Sequence, residues 1–159
     1  MDFIDFKMLS ETYINDIYIW RNSDIVRSNS FNRNEISIIE HREFIKSLNE
    51  DITKKYFLAV LDNEPVGVVG FTDIYNSTAN LGYYKNPFTK KTGIGKLLIN
   101  KACEYAAITL NLELLIMKVF KTNLISIHCI TQCGFTENKR DDEVIEYILK
   151  LNKYGTRWK

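Results

Sequence analysis

The chain has 159 residues, of which 45% are hydrophobic and 26% are charged, and this is the composition of an ordinary globular domain. At this length we expect a single domain, residues 1–159, with a core large enough to need no disulfide or metal. The 21 Lys and Arg residues nearly balance the 20 Asp and Glu residues, which excludes a nucleic-acid binder that acts through bulk positive charge.

No segment of the sequence predicts export or membrane insertion. The first residues are acidic where a signal peptide would be basic, and the longest apolar run, residues 112–120, is too short to span a bilayer. The three cysteines, Cys103, Cys129 and Cys133, lack the spacing of a zinc site. We therefore expect reduced thiols, no metal, and a cytoplasmic protein that binds neither nucleic acid nor a membrane.

The first half of the chain alternates between strand and helix signals. Apolar and polar residues alternate over residues 2–8, Ser10 is suited to begin a helix that runs through Trp20, and helical spacing returns over residues 36–48. Residues 21–33 between these helices have no clear period. Three strands joined by turns follow, at residues 56–61, 66–75 and 79–85.

In the second half, helices and strands alternate. The predicted elements are a helix at residues 95–110, a strand at 112–120, a helix at 123–132 that ends before Gly134, a strand that opens at Phe135, and a last strand at 144–151. Antiparallel strands followed by a strand–helix–strand unit predict an α/β fold with a mixed sheet between two helix layers.

The segment between the strand at residues 79–85 and the next helix is the first candidate site. It contains Gly93-x-Gly95 directly at the helix start, where backbone N–H groups have no helical partner and point outward at the positive end of the helix dipole. This arrangement suits a pyrophosphate, and Lys90, Lys91 and Lys96 add positive charge. Neither a Walker A loop nor a dinucleotide-binding fingerprint is present, and by itself the pattern is equally that of a helix start with two turn glycines.

The same segment resembles the acetyl-CoA-binding motif of the GNAT N-acetyltransferase superfamily, Arg/Gln-x-x-Gly-x-Gly/Ala after a strand that ends in Pro. Lys90 stands where that family has Arg or Gln, and Pro87 ends the strand. Further along the chain, the family's Asn-x-x-Ala…Gly-Phe pattern is matched by Asn123, Ser126, Gly134 and Phe135. Together the two motifs cover residues 81–135.

This resemblance implies the GNAT fold, in which two central parallel strands, here residues 79–85 and 112–120, splay apart to admit acetyl-CoA as cosubstrate. Pantetheine is then expected on the backbone near Tyr84 and Lys85. The remaining cofactor-binding residues that it implies are Lys90, Lys91, Thr92, Gly93, Ile94, Gly95, Lys96, Asn123 and Ser126. The acceptor amine attacks the thioester directly from the other side.

Short motifs of the N-terminal half narrow the acceptor. Residues 20–22 (Trp-Arg-Asn), 41–45 (His-Arg-Glu-Phe-Ile) and 82–88 (Gly-Tyr-Tyr-Lys-Asn-Pro-Phe) look like the nucleotide-sugar N-acetyltransferases of pseudaminic acid biosynthesis. Those enzymes acetylate the 4-amino group of UDP-4-amino-4,6-dideoxy-N-acetyl-β-L-altrosamine. The resemblance implies substrate contacts by Arg21, His41, Phe44 and Tyr84, and it makes His41 and Tyr84 the candidate catalytic residues.

Two groups that the family commonly uses for proton transfer are missing. Ile130 stands where a Tyr usually donates a proton to the CoA thiolate, and Asn80 stands where a carboxylate is frequent. A Tyr elsewhere could take the first role, or the thiolate could leave unaided. For the second role, His41, water or bulk solvent remain, although His41 is equally readable as a surface residue on a polar helix.

Three functions remain open from the sequence. The first is acetylation of a UDP-linked amino sugar, and the second is acetylation of a protein N-terminus, a polyamine or another small amine. The third is a non-catalytic acyl-CoA-binding module, which the residues at positions 80 and 130 motivate. A small-molecule acceptor and a possible homodimer are the partners expected.

Overall fold

The computed structural model describes residues 1–152, which form a seven-stranded mixed sheet with helices on both faces. The strands are β1 (Asp2–Asp5), β2 (Lys55–Leu61), β3 (Glu64–Tyr75), β4 (Thr78–Lys85), β5 (Leu114–Phe120), β6 (Thr136–Arg140) and β7 (Val144–Lys150). The helices are α1 (Glu11–Asn22), α2 (Asp24–Ser28), α3 (Ile38–Ser47), α4 (Ile94–Ile108) and α5 (Leu124–Gln132). None of them is long and apolar enough to cross a membrane, as far as residues 1–152 extend.

Each face of the sheet has its own apolar core. On one face, α4 and α5 pack through residues such as Leu98 and Ile130 against the sheet, and on the other face α1 and α3 pack through Ile17, Trp20 and Ile45. Burial of apolar side chains at about 25 cal/mol per Å² is what holds both layers to the sheet. The predicted mixed α/β fold with three layers is confirmed.

The sheet divides at its centre. The strand order is β1-β2-β3-β4-β5-β7-β6, and β4 and β5 are the parallel neighbours. They pair only at Thr78–Leu114, Ala79–Leu115 and Asn80–Ile116, while β4 stays paired with β3 as far as Lys85. Beyond Asn80 the two strands therefore separate and leave a split, which confirms the splayed central strands implied by the resemblance.

In the N-terminal region one prediction is wrong and one short helix was not predicted. The strand predicted at residues 2–8 ends at Asp5, because the Asp5 carboxylate accepts a hydrogen bond from the Lys7 N–H at 2.9 Å and turns residues 6–8 into a 3₁₀ helix. The segment without a clear period contains the helix α2, which was not predicted and is only 5 residues long. A helix this short gives too few turns for apolar spacing to be visible in the sequence.

Candidate active site

The start of α4 carries a row of open backbone donors. Gly93 is the residue before the helix and adopts φ 71°, a left-handed conformation that favours glycine. The first helical bond runs from the Leu97 N–H to the Gly93 carbonyl at 3.2 Å, so the N–H groups of Ile94, Gly95 and Lys96 have no backbone partner in the described part of the chain. Gly93 has no side chain that could cap this helix. These features fit the pyrophosphate of acetyl-CoA.

Polar side chains hold the loop that leads into α4. Asn86 is 8% exposed; its amide donates to the Pro65 carbonyl at 2.9 Å, and its Oδ1 accepts from the Phe88 N–H at 2.9 Å. The Thr89 hydroxyl donates to Glu64 at 2.6 Å. The sequence patterns gave Asn86 and Thr89 no role of their own, because the acceptors of their side chains, Pro65 and Glu64, lie at the start of β3.

The three predicted lysines of this loop differ in their surroundings. Lys91 forms ion pairs with Asp62 at 3.5 Å and Glu64 at 3.7 Å, so its charge is already partly neutralised. Lys90 and Lys96 are exposed and form no ion pair within residues 1–152. They are the lysines free to meet a phosphate, and Thr92 lies exposed between them.

The open N–H groups of Ile94, Gly95 and Lys96 form what we call the anion nest, and behind it α4, α5 and β4 meet closely. A Cβ added to Gly95 would lie 3.1 Å from the Cys129 Sγ and 3.6 Å from the Tyr83 hydroxyl, so the Cys129 side chain would have to shift to admit it. The Tyr83 hydroxyl crosses from β4 to α5 and lies 3.0 Å from the Ser126 hydroxyl. Burial raises the pKa of Tyr83, and the Ser126 hydrogen bond opposes this in part.

Asn123 and Ser126 open α5 as the motif predicts. Asn123 is the N-cap, and its side-chain oxygen accepts from the Ser126 N–H at 3.2 Å. This bond is common at helix starts, because it satisfies one of the otherwise open N–H groups. Two motif residues are thus held together at the edge of the split between β4 and β5.

The opposite face of β4 carries an open space. Side chains alternate along a strand, so Asn80, Gly82 and Tyr84 point toward the α1 and α3 layer while Tyr83 points toward α4 and α5. A Cβ on Gly82 would have no atom within 4 Å, so there is room above this residue, beside the point where β4 leaves β5. An acceptor could approach the split here.

Arg21 and Tyr84 lie together at one end of this space. Burial raises the pKa of Tyr84, and the nearby positive charge of Arg21 opposes this shift. Arg21 Nη2 donates to the Asn32 carbonyl at 2.8 Å, whereas Nη1 is buried and has no hydrogen-bond partner among residues 1–152. A buried guanidinium nitrogen without a partner is costly and can donate a further hydrogen bond.

The connection between α2 and α3 reaches the end of β5. The ring centroids of Phe31 and Phe120 are 4.9 Å apart, and the Arg33 guanidinium lies 4.6 Å from the Phe120 centroid. The connection therefore contacts Phe120 of β5 on one side of the split, and through Asn32 it contacts Arg21, which lies beside Tyr84 of β4 on the other side. The sequence patterns did not single out Phe31, Arg33 or Phe120.

His41 and Phe44, both predicted to contact substrate, belong to the packing of α3. His41 is 3% exposed, and its Nε2 lies 2.9 Å from the Ile14 carbonyl of α1, beside the Tyr18 ring. The histidine is therefore not a surface residue, and burial lowers its pKa. Because a carbonyl only accepts, this bond places the proton on Nε2 and leaves Nδ1 as the basic nitrogen of the ring. Phe44 packs edge-on against Tyr56, with 5.0 Å between centroids.

A carboxylate that the sequence patterns missed stands beside Asn80. The Asn80 amide donates to the Asp73 carboxylate at 2.7 Å, across the hairpin between β3 and β4. Asp73 has φ 50° at an irregularity of the pairing, and it is close enough to Tyr56 to help raise the pKa of that residue. Position 80 itself has no carboxylate, but the Asp73 carboxylate of the neighbouring strand lies in contact with it.

Ile130, which replaces the usual proton donor, is 1% exposed and packs in the core between α5 and the sheet. Lys85, predicted to bind pantetheine through its backbone, pairs with Gly67 of β3 at the open end of the split. Within residues 1–152, no group of three or more His, Cys, Asp or Glu side chains could hold a metal ion.

Comparisons with known proteins agree with this geometry. Residues 14–135 match the model of the acetyltransferase (GNAT) family. The acetyltransferase PseH of Campylobacter jejuni (strain 81-176) is 33% identical over 147 residues, which are 92% of this chain and 91% of that protein. The crystal structure of C. jejuni N-acetyltransferase PseH with acetyl coenzyme A superposes with a TM-score of 0.79 at 30% identity, over 94% of this chain and 97% of that one.

Spermidine N-acetyltransferase from Vibrio cholerae, solved with CoA and spermine, has a TM-score of 0.80 but only 23% identity, over 92% of this chain and 94% of that one, so it supports the fold alone. The family match and the identity to PseH cover most of the chain. The chain therefore belongs to the GNAT acetyltransferase family, and the predicted acetyl-CoA-dependent N-acetyltransferase activity is confirmed at the level of the family.

Proposed function

We propose that this enzyme transfers the acetyl group of acetyl-CoA to the amino group of a nucleotide-linked amino sugar. The acceptor we assign is the 4-amino group of UDP-4-amino-4,6-dideoxy-N-acetyl-β-L-altrosamine. The similarity to C. jejuni PseH over nearly the whole chain supports this choice, together with the motifs shared with nucleotide-sugar N-acetyltransferases.

The observation that carries the proposal is the unpartnered Nη1 of Arg21. A guanidinium is always charged and binds phosphate or carbonyl oxygen well, so its buried donor favours an acceptor with an anionic or carbonyl group. A nucleotide-linked N-acetyl sugar has both groups. A polyamine has neither, and it would place its own positive charges near Arg21.

The other end of the open space suits the amine. The Asp73 carboxylate, held by Asn80, provides a negative charge on the face of β4 that Gly82 leaves open. An amine held there would face the split between β4 and β5, where the thioester is expected. Asp73 forms no ion pair with any residue of the described range, so its charge is available to an acceptor ammonium.

The test is the release of CoA thiol with a panel of acceptors at one concentration of acetyl-CoA. The panel contains the UDP-linked 4-amino sugar, the same sugar as its 1-phosphate, spermidine, and a peptide with a free N-terminus. We expect the highest kcat/KM with the UDP-linked sugar and a lower value with the 1-phosphate. A higher kcat/KM with spermidine or the peptide would refute the assigned acceptor, and a denatured sample of the enzyme controls for spontaneous aminolysis.

A further inference from the structure

The hydroxyl of Tyr83 lies against the first turn of α5, where it meets the Ser126 hydroxyl. Residues 126 and 130 are one helical turn apart and share a face of α5, and helical side chains lean toward the N-terminus of their helix. A long side chain at position 130 would therefore reach the turn that carries Ser126. Ile130 does not extend there, and the Tyr83 hydroxyl lies 3.0 Å from the Ser126 hydroxyl instead.

The position of this hydroxyl relative to the split is set by three elements. Tyr83 belongs to the part of β4 that no longer pairs with β5, and its ring points toward α4 and α5. The first turn of α4, whose N–H groups form the anion nest, is close enough for a Gly95 Cβ to touch the Tyr83 ring at 3.5 Å. A cofactor that runs from this nest into the split passes along the residue that holds the hydroxyl.

We propose that the Tyr83 hydroxyl, held by Ser126, donates to the sulfur of the departing CoA. This role of Tyr83 rests on the proposed function, because the hydroxyl acts on acetyl-CoA. The role does not depend on which amine is the acceptor. Tyr83, on strand β4, thus donates the proton that Ile130, on α5, cannot donate.

The proton count of the step balances. The amine nitrogen forms a bond to the acetyl carbon, and the bond from that carbon to sulfur breaks with its electron pair on sulfur. Tyr83 gives its proton to the sulfur, accepts one from Ser126, and Ser126 regains one from water. The amine releases one proton to water, so an amine and acetyl-CoA yield an amide and a CoA thiol.

The Tyr83–Ser126 pair is suited to this exchange because either oxygen can be the donor. At rest Tyr83 can donate to Ser126, and during departure it can donate to sulfur while it accepts from Ser126. The phenol is protonated at neutral pH, because its ordinary pKa is near 10 and burial raises it further. A phenol is a weaker acid than a thiol, so the hydroxyl first stabilises the developing thiolate by a hydrogen bond, and the proton follows as Ser126 replaces it.

The test uses Tyr83→Phe, which removes one oxygen and keeps the ring. We expect kcat to fall about a hundredfold, the low end of the usual contribution of general acid–base catalysis, with the Kd for acetyl-CoA unchanged. The acceptor is whichever amine the enzyme acetylates fastest, so that a wrong acceptor assignment and a wrong role for Tyr83 give different results. Tyr105→Phe is the matched control, because Tyr105 packs against Phe57 and Phe71 and takes no part in the site.

A second readout does not depend on turnover. If Tyr83 donates to the sulfur, it stabilises the thiolate of bound CoA, and the pKa of the bound thiol must be lower in the wild type than in Tyr83→Phe. The ultraviolet absorbance of the thiolate during a pH titration measures this pKa. Ser126→Ala is expected to raise it as well, and to lower kcat by less than Tyr83→Phe.

A third variant tests the equivalence of the two positions. In the double variant Tyr83→Phe with Ile130→Tyr, a hydroxyl returns from α5, and we expect kcat to recover in part. An unchanged kcat in a folded Tyr83→Phe enzyme would overturn the proposal. So would an unchanged thiol pKa, or a defect confined to the Kd for acetyl-CoA, because each would make Tyr83 a packing residue.

Discussion

Replacing Gly93 by Glu is the sharpest test of the nest at the start of α4. The residue has φ 71°, and a Cβ there meets no atom within 4 Å, so a side chain fits without a clash but with backbone strain. That strain costs about 1–2 kcal/mol for a residue other than glycine. Gly93→Gln has the same strain and nearly the same size without the charge, and it is therefore the matched control.

The charge sets the difference between the two variants. Two unit charges 4 Å apart repel by about 1 kcal/mol in water and by about 4 kcal/mol near a protein surface. Against a pyrophosphate, a loss of about 2 kcal/mol is a conservative expectation, which corresponds to roughly a 30-fold higher Kd. We expect this ratio between Gly93→Glu and Gly93→Gln in calorimetric titrations with acetyl-CoA, and we expect it to shrink as salt is added.

Both variants must lose the same thermal stability, because the strain is common to them. If Gly93→Glu and Gly93→Gln bind acetyl-CoA with equal affinity at low salt, the pyrophosphate does not lie at this helix start. Equal affinity would also remove the reason for assigning Lys90 and Lys96 to the phosphates.

Other substitutions separate binding from folding. Arg21→Ala is expected to raise the KM of the acceptor more than that of acetyl-CoA, and the opposite order in steady-state kinetics would place this residue on the cofactor. Gly67→Ala puts a Cβ 2.6 Å from the Tyr84 carbonyl oxygen, and it should lower the free energy of unfolding by on the order of 1–3 kcal/mol in thermal unfolding. Gly82→Ala, whose Cβ meets no atom within 4 Å, should keep the melting temperature and raise the acceptor KM. Burial lowers the pKa of His41 in the folded protein below its unfolded value near 6.5. The neutral ring therefore stabilises the fold above about pH 6.5, and this stability is lost as the pH falls. In denaturant titrations, His41→Gln should flatten the fall in the free energy of unfolding with decreasing pH, and equal slopes for the two proteins would contradict this.

The expected cofactor residues came from a helix-start pattern at positions 93–96 and, for Asn123 and Ser126, from the family resemblance. The glycines at positions 93 and 95 and the residues at 123 and 126 lie close together in sequence, and their geometry depends on a helix start that is visible there. The predicted strands of the centre also have nearly the predicted bounds, since their apolar runs end at turns. A site made of backbone N–H groups can be predicted from sequence, because it requires only that a helix begins at that position.

The other contacts of the site join residues that are distant in sequence, and no local pattern shows them. Tyr83 and Ser126 are 43 positions apart, and their bond exists only because α5 returns beside β4. His41 stands in a polar stretch that is typical of a surface helix, yet α1 covers it and Ile14 satisfies its Nε2. Asp73 was not predicted, because its importance comes from accepting a hydrogen bond from Asn80 of the adjacent strand.

The most direct test of acetyl transfer to a nucleotide-linked amino sugar is to identify the product. The enzyme is incubated with acetyl-CoA and UDP-4-amino-4,6-dideoxy-N-acetyl-β-L-altrosamine, and the position of the new acetyl group is determined by nuclear magnetic resonance. We expect one new acetyl group per sugar, on the nitrogen at C4, with an equal amount of free CoA thiol. An unmodified sugar in the presence of active enzyme, or an acetyl group on any other atom, would contradict the proposed function.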